Sequence, residues 1–444
     1  MLSSEDNDTI AILGGGLTGL TLADLLNSKD ALILEKEDEC GGLCRSVLKN
    51  GYTFDPGGSH IIFSKDIGAL EFMKNALGDN VCLRRRNTKI LYNGKLVKYP
   101  FENGLSDLPK LENFECLLGF LKAYIEHNYG AQLTPDSFKA WMYCTFGPGI
   151  TEKYLLPYNT KIWKLDPGQM DLSWVDDRAP HPSLQDIIKA SLGLGSEGYV
   201  HQLQFYYPRE GGIQALVRSL EKKARRQTKI VNGFKITSIK KTNAGWLVSD
   251  GSDNIRCREI ISTIPLFDLI YALEGVPGYV KDTVDCLRYN SLITVMMGID
   301  SPDLNDLSWL YIPDGACLSH RVSFPSNYSD KVAPSGKSSA LAEITCREGD
   351  HISYLTDEEI IQNITGYLQK NKIISKGDIE YTELKRTKYA YVVNDLNYKK
   401  NVNILRDYLK MTGIHIVGRF SEWEYYNMDT CIRSAMDFVS KWDV

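Results

Sequence analysis

The sequence predicts an α/β fold in which a nucleotide-binding domain is assembled from separate stretches of chain, with a helical insertion and a second β-sheet region beside it. Three observations carry this expectation. Residues 9–14 (TIAILG) form a short apolar strand; GGGLTG and LTLADLLNS continue as a Gly-rich turn and a helix; ALILE at 31–35 is a second strand. At the far end, HIVG at 415–418 is again a strand, followed by a loop and an amphipathic helix, MDTCIRSAMDFVSKW. Between them, residues 105–200 show helical spacing broken by Pro and Gly (FECLLGFLKAYIEHNYG, SFKAWMYCTF), whereas 229–263 and 289–345 read as strands. The expected organisation is 1–75 with 205–265 and 405–444 as the nucleotide-binding domain. A helical substrate domain occupies 105–204, and 76–104 with 266–404 form a β-rich substrate domain.

Composition limits the function classes. The chain has 51 Lys+Arg against 56 Asp+Glu, a net charge of −5, so nucleic acid is excluded as the main partner because phosphate binding needs clustered positive charge. No apolar run approaches the ~18–20 residues that span a bilayer. The start, MLSSEDNDTIAIL, lacks the basic and apolar regions of a signal peptide. A cytoplasmic protein with no membrane partner is expected. The cysteines are scattered without a CxxC pair and the histidines without HExxH, so no metal site is expected.

Gly14, Gly16 and Gly19 spell GxGxxG directly after a strand and at a helix start. The first glycine permits the tight turn, the second lets backbone approach a pyrophosphate, and the third lets helix pack on strand. The helix N-terminus then faces negative charge. Glu35 ends the next strand, where a carboxylate accepts ribose hydroxyls.

The following residues point to FAD rather than NAD. GGLCRSV supplies Gly42 and Arg45, and GYTFDPGGSHIIF supplies Gly57, Gly58, Ser59 and His60, the arrangement of glutathione-reductase-like FAD proteins with a Rossmann-like domain. Arg45 can neutralise pyrophosphate, and Gly57-Gly58 lets backbone lie flat against an isoalloxazine ring. The C-terminal strand delivers Gly418 and Arg419, and a helix begins near Asp429 with its positive end toward the flavin pyrimidine edge; Asn427 and Met428 belong to the same expected cofactor-binding set. Ile236 completes the expected cofactor-binding set.

The pieces GGGLTGL, GGLCRS, YPFENGLSDLP, LPYNTKIWKLDPGQMDLSWVDDRAPHPSL, YYPREGG, WLYIPD, HRVSFPSNYS and GRFSEWEYY occur in this order over nearly the whole chain. In them the sequence resembles UDP-galactopyranose mutases, more closely the eukaryotic type. The terminal pieces are shared with amine and protoporphyrinogen oxidases; the middle ones are more specific. The resemblance implies an isomerase that interconverts UDP-galactopyranose and UDP-galactofuranose through an adduct of the sugar with N5 of reduced FAD, without net redox. NAD(P)H is a candidate reductant. It also implies that His60 lies at the flavin, that Arg178 and Arg321 clamp the diphosphate, and that Tyr311, Tyr391 and Tyr425 hydrogen-bond the phosphates. Tyr99, Phe101, Leu155, Asn159, Trp163 and Gln202 would surround the rest of the nucleotide sugar. Such a ligand is a doubly charged diphosphate with an aromatic base, which suits arginines, phenols and flat rings.

Several positions depart from the family pattern. Glu102 stands where glutamine is common, and its charge is expected to face the base or phosphate. The GGSH loop is one residue longer before His60, Gln202 replaces an asparagine, and KYAYVVND lacks prolines. WLYIPD at 309–314 is expected to form a flap over the substrate, hinged at Gly315. Three alternatives stay open: an amine- or protoporphyrinogen-type flavin oxidase, a mutase of another nucleotide sugar, and a non-catalytic nucleotide-sugar binder.

Overall fold

The computed structural model describes residues 9–130, 134–173, 175, 182–194, 203–302 and 304–442. One sheet has five parallel strands in the order Ile414–Ile416, Glu259–Ser262, Ile10–Leu13, Ala31–Leu34 and Lys229–Val231. Every residue of Ile10–Leu13 and Ala31–Leu34 is buried. Parallel strands covered on both faces require such unbroken apolar runs. Alternate side chains divide between two cores. Ile10, Ile12 and Ile33 pack with Leu20, Leu216, Leu220 and Ile432 from the helices Leu17–Leu26, Gln214–Ala224 and Met428–Ser440. Ala11, Leu13, Leu32 and Leu34 pack on the other face with Leu266, Leu269, Leu405 and Leu409. Both chain ends therefore contribute to one layered unit, as the opening and closing motifs predict.

A second sheet has seven strands in the order Ile379–Val393, Arg288–Ile299, Ser338–Cys346, Arg321–Ser323, Trp309–Tyr311, Thr88–Tyr92 and Lys95–Lys98. Its pairings are antiparallel except that between Trp309–Tyr311 and Thr88–Ile90. The helices Lys110–Tyr129, Phe138–Ile150, Leu156–Trp163 and Leu184–Ser191 fall within the segment read as helical. Phe120, Trp141, Phe146 and Ile150 from this group share a core with Phe101 and Tyr391. Among the described residues, no helix is long and apolar enough to cross a membrane.

The expected flap is not a free segment. Trp309–Tyr311 is an interior strand of the seven-stranded sheet, bonded to Arg321–Ser323 on one side and Thr88–Ile90 on the other. Trp309 and Leu310 point to opposite faces of the sheet and are buried in separate cores, at 5% and 0% exposure, so this strand is covered on both faces. The loop that follows is tied down as well, since the Lys161 ammonium donates to the carbonyls of Ile312 and Asp314, both at 2.8 Å.

Candidate functional site

A cavity of about 1410 Å³ opens where the parallel sheet meets the seven-stranded sheet. Its wall on the parallel-sheet side includes Gly14, Gly16, Glu35, Gly42, Arg45, Gly57, Gly58, Ser59, His60, Ile236, Arg419, Asn427, Met428 and Asp429. Tyr99, Tyr311, Arg321, Tyr391 and Tyr425 line the same cavity. The structure thus brings most of the expected residues onto one surface.

The first helix explains the glycine spacing. A Cβ on Gly19 would stand 2.0 Å from the Gly14 carbonyl oxygen, so helix Leu17–Leu26 reaches its strand only with glycine there; Gly19 lies behind the wall. At Gly16 a Cβ would meet nothing within 4 Å, and this N-cap makes no side-chain bond. Gly16, Leu17 and Thr18 line the cavity, so the first turn of this helix, whose N–H groups suit an anion, borders it. Glu35 is fixed rather than free: Gly15 N–H donates to its Oε2 at 2.7 Å and Glu37 N–H to its Oε1 at 2.9 Å.

The closing helix presents a second N-terminus to the same cavity. Asn427, its N-cap, makes no side-chain cap bond, and Asp429 is held by Ser64 Oγ at 2.5 Å. Arg419 donates to the carbonyls of Tyr426 and Ala390, and its guanidinium lies 4.5 Å from the Tyr425 ring centroid. Gly418 sits behind the wall at a close approach, where a Cβ would fall 2.4 Å from Thr18 Oγ1. Two helix N-termini without side-chain caps, a fixed ribose-range carboxylate and open space at Gly16 on one cavity fit FAD.

The Gly57-Gly58 loop is glycine for two reasons. A Cβ on Gly57 would collide with the Leu43 carbonyl oxygen at 2.1 Å, and Gly58 has φ of +102°. Behind the loop, burial raises the Asp55 carboxyl to about 6, while Ser46 Oγ, Tyr207 O–H and Ile213 N–H donate to it. Burial lowers the His60 imidazole to about 4, so it is neutral at ordinary pH, and its Nδ1 has no partner among the described residues.

Arg321 is held by a group the sequence reading did not include. Its Nε donates to Glu343 Oε1 at 2.9 Å and its Nη2 to Oε2 at 2.7 Å. Burial alone would disfavour the charge, but the Glu343 carboxylate, with Tyr391 and Tyr311 nearby, holds the guanidinium well above its ordinary range. Ser59 N–H donates to the same carboxylate at 3.2 Å, and Tyr391 O–H lies 3.5 Å from it. Tyr391 stacks on Tyr425 at 6.0 Å, and Tyr99 lies against Tyr311 at 4.9 Å.

Four of the expected nucleotide residues lie one layer back from the wall. Phe101 stacks on Tyr154 at 5.1 Å. Asn159 donates to the Leu155 carbonyl at 2.8 Å and accepts from Trp163 Nε1 at 3.1 Å. Trp163 in turn meets Tyr425 edge-on at 5.4 Å, so this layer props up the tyrosines. Glu102 does not face the cavity; it is buried, and that burial raises its carboxyl to about 7. Arg178 and Gln202 lie outside the described residues.

Glu343, His320, Tyr158 and Arg86 also line the cavity without having been anticipated. For Glu343 a signal existed. It is the one acid in SSALAEITC, an otherwise apolar or small run, and a buried acid in such a run needs a cationic partner. Arg86 lies 5.0 Å from the Tyr99 ring and 4.7 Å from the Trp309 ring, contacts that the run RRRN did not indicate.

This fold and cavity define a flavoprotein of FAD-binding type. A family model described as flavin containing amine oxidoreductase matches residues 17–437, and the chain belongs to that family. Among solved structures it is similar to a reduced UDP-galactopyranose mutase, with a TM-score of 0.89 and 23% identity over 99% of this chain and 94% of that one. A putative protoporphyrinogen oxidase from Exiguobacterium sp. 255-15 gives a TM-score of 0.77 and 17% identity over 99% of both chains. A putrescine oxidase gives a TM-score of 0.66 and 16% identity over 97% of this chain and 98% of that one. Two curated relatives match short stretches of the chain. An inactive all-trans-retinol 13,14-reductase of Danio rerio is 39% identical over 12% of this chain and 9% of its own length. An uncharacterized protein of Methanothermococcus thermolithotrophicus is 46% identical over 15% of this chain and 65% of its own length. The chain therefore spans less than two thirds of either.

Proposed function

We propose that the protein is a flavin-dependent isomerase that interconverts UDP-galactopyranose and UDP-galactofuranose, in the manner of the mutases of eukaryotic type. The observation that carries this reading is that Arg321, with Tyr99, Tyr311, Tyr391 and Tyr425, lines the same cavity as the residues of the FAD-type motifs. The two bonds from Arg321 to Glu343 leave Nη1 and one Nη2 hydrogen for a ligand. A diphosphate entering there would accept from this guanidinium and from the phenols, with Arg178 as the second cation.

The chemistry FAD supplies when bound and reduced is a nucleophilic nitrogen for the anomeric carbon. The protein's own contribution is electrostatic and positional. Arg321 stabilises the negative charge that grows on the departing diphosphate, and it is already oriented by Glu343 before substrate arrives. Neutral His60 shapes the cofactor edge without adding positive charge, and the Phe101–Leu155–Asn159–Trp163 layer, with Gln202, sets the nucleotide pocket. In this reading the helical segment 105–204 and the β-rich region close the cleft over the FAD domain. NAD(P)H supplies reducing equivalents, and the product feeds cell-surface glycan synthesis in the cytoplasm.

One alternative has a specific observation in its favour. Family membership and the likeness to oxidase structures support an amine- or protoporphyrinogen-type oxidation. A cavity wall carrying Arg321 and clustered phenols counts against an apolar substrate. A different nucleotide sugar remains compatible with the same clamp. Titration of the flavoprotein with UDP, followed by flavin fluorescence, separates these readings. The mutase reading expects saturable UDP binding that Arg321→Ala weakens about 100-fold, in keeping with loss of a charge-assisted bidentate contact. Absence of UDP binding in the native protein would sink it.

A further inference from the structure

The imidazole of His320 is a buried polar group with nothing to bond. The residue is 1% exposed, and neither Nδ1 nor Nε2 has a hydrogen-bond partner among the described residues. Its backbone is fixed: His320 N–H donates to the Glu343 carbonyl at 3.0 Å, and the His320 carbonyl accepts from Ile312 N–H at 2.9 Å. The ring itself is held by packing, edge-on to Tyr158 at 6.4 Å and to Tyr391 at 6.2 Å between centroids. All three rings line the cavity together with Arg321. Leaving such a group unbonded costs stability, and an apolar ring of the same shape would not carry that cost. The partner that a histidine needs here is one that enters the cavity.

The chemistry of that partner follows from the protonation state. Burial holds the imidazole well below its ordinary range, and the cations Arg321, Lys161 and Lys164 act in the same direction. A neutral imidazole offers one donor and one acceptor. The oxygens of an ionised diphosphate accept and do not donate, so they suit Arg321 and the phenols and would use only half of this ring. A hydroxyl both donates and accepts, and it pairs with either nitrogen in either tautomer. We infer that His320 is a specificity-determining residue that bonds a ligand hydroxyl next to the anion held by Arg321. The inference rests on the nucleotide-sugar reading above, in which that hydroxyl belongs to the ribose or to the hexose.

Binding of UDP-galactose, UDP and inorganic pyrophosphate to the FAD-loaded protein, followed by flavin fluorescence, tests this in the native chain and in His320→Phe. The variant keeps an aromatic ring and loses both nitrogens. It should weaken UDP-galactose about tenfold or more and leave pyrophosphate within about twofold. Its thermal midpoint should stay the same or rise, because no hydrogen bond within the protein is lost. Weakening of UDP as well assigns the hydroxyl to the ribose; weakening of UDP-galactose alone assigns it to the hexose. Equal weakening of pyrophosphate overturns the inference, since the ring then acts through Arg321. Native affinity for all three ligands overturns it too, as does a markedly lower thermal midpoint, which would mean that the nitrogens are bonded within the protein. A native protein that binds neither nucleotide refutes the nucleotide-sugar reading itself, and the inference with it.

Discussion

The guanidinium of Arg321 and the carboxylate of Glu343 form a two-bond pair, at 2.9 and 2.7 Å, between neighbouring strands of the seven-stranded sheet. The Glu343 side chain is fully buried and that of Arg321 is 23% exposed. Because Ser59 N–H also donates to Glu343, this carboxylate links Arg321 to the Gly57-Gly58 loop. One acid thereby sets the position of Arg321 relative to that loop.

Glu343→Ala should destabilise the protein by about 3 kcal/mol, because it leaves a partly buried guanidinium without its counter-charge. Urea unfolding of the native and variant proteins measures this. Glu343→Gln keeps the shape and should cost less. Equal stability of the alanine variant would show that the pair does not hold Arg321 and the loop together.

Glu102 gives a pH prediction. Burial raises its carboxyl from the usual 4.5 to about 7. A folded-state pKa above the unfolded one means that its contribution is complete below 4.5 and is lost as pH rises through 7. The stability difference between Glu102→Gln and the native protein should therefore move by about 3 kcal/mol in favour of the variant from pH 4 to pH 8. A difference that is flat with pH would mean that the carboxyl is solvated.

Glu35 accepts from Gly15 N–H and Glu37 N–H in the ribose range of the dinucleotide motif. Glu35→Ala removes these bonds and any contact to ribose hydroxyls. Flavin retention should fall by about 10- to 100-fold in affinity, read from the absorbance of dialysed protein. Full retention would place the cofactor elsewhere.

Lys161 staples the loop after Tyr311 through the carbonyls of Ile312 and Asp314. Lys161→Met should raise the dissociation constant for UDP about tenfold while leaving flavin content unchanged. Loss of flavin, or UDP binding of native strength, would contradict a role in positioning Tyr311.

The parts of this fold that could be read from the chain are those where one short segment carries its own requirement. Gly14, Gly16 and Gly19 announce a turn, an open anion site and a helix–strand contact because each lacks a Cβ for a local reason. Ile10–Leu13 and Ala31–Leu34 announce buried parallel strands by being wholly apolar. The site opposite was legible mainly through resemblance, which brought Tyr99, Tyr311, Arg321, Tyr391 and Tyr425 to the wall. What escaped was long-range. The Glu343 partner lies 22 residues from Arg321 and meets it only through strand pairing. WLYIPD read as a flap because its place inside the sheet depends on pairing with Thr88–Ile90, more than two hundred residues away in sequence, as well as with the next strand, Arg321–Ser323. Glu102 looked like a ligand-facing charge because its position after YPF did not reveal that the short helix Phe101–Asp107 turns it inward.

The proposed activity is tested most directly by anaerobic incubation of the purified protein with UDP-galactofuranose, with and without dithionite, resolved by liquid chromatography. UDP-galactopyranose formed only in the reduced sample is the predicted result. Absence of conversion in the reduced sample, with UDP bound and flavin retained, would contradict the assignment to this sugar.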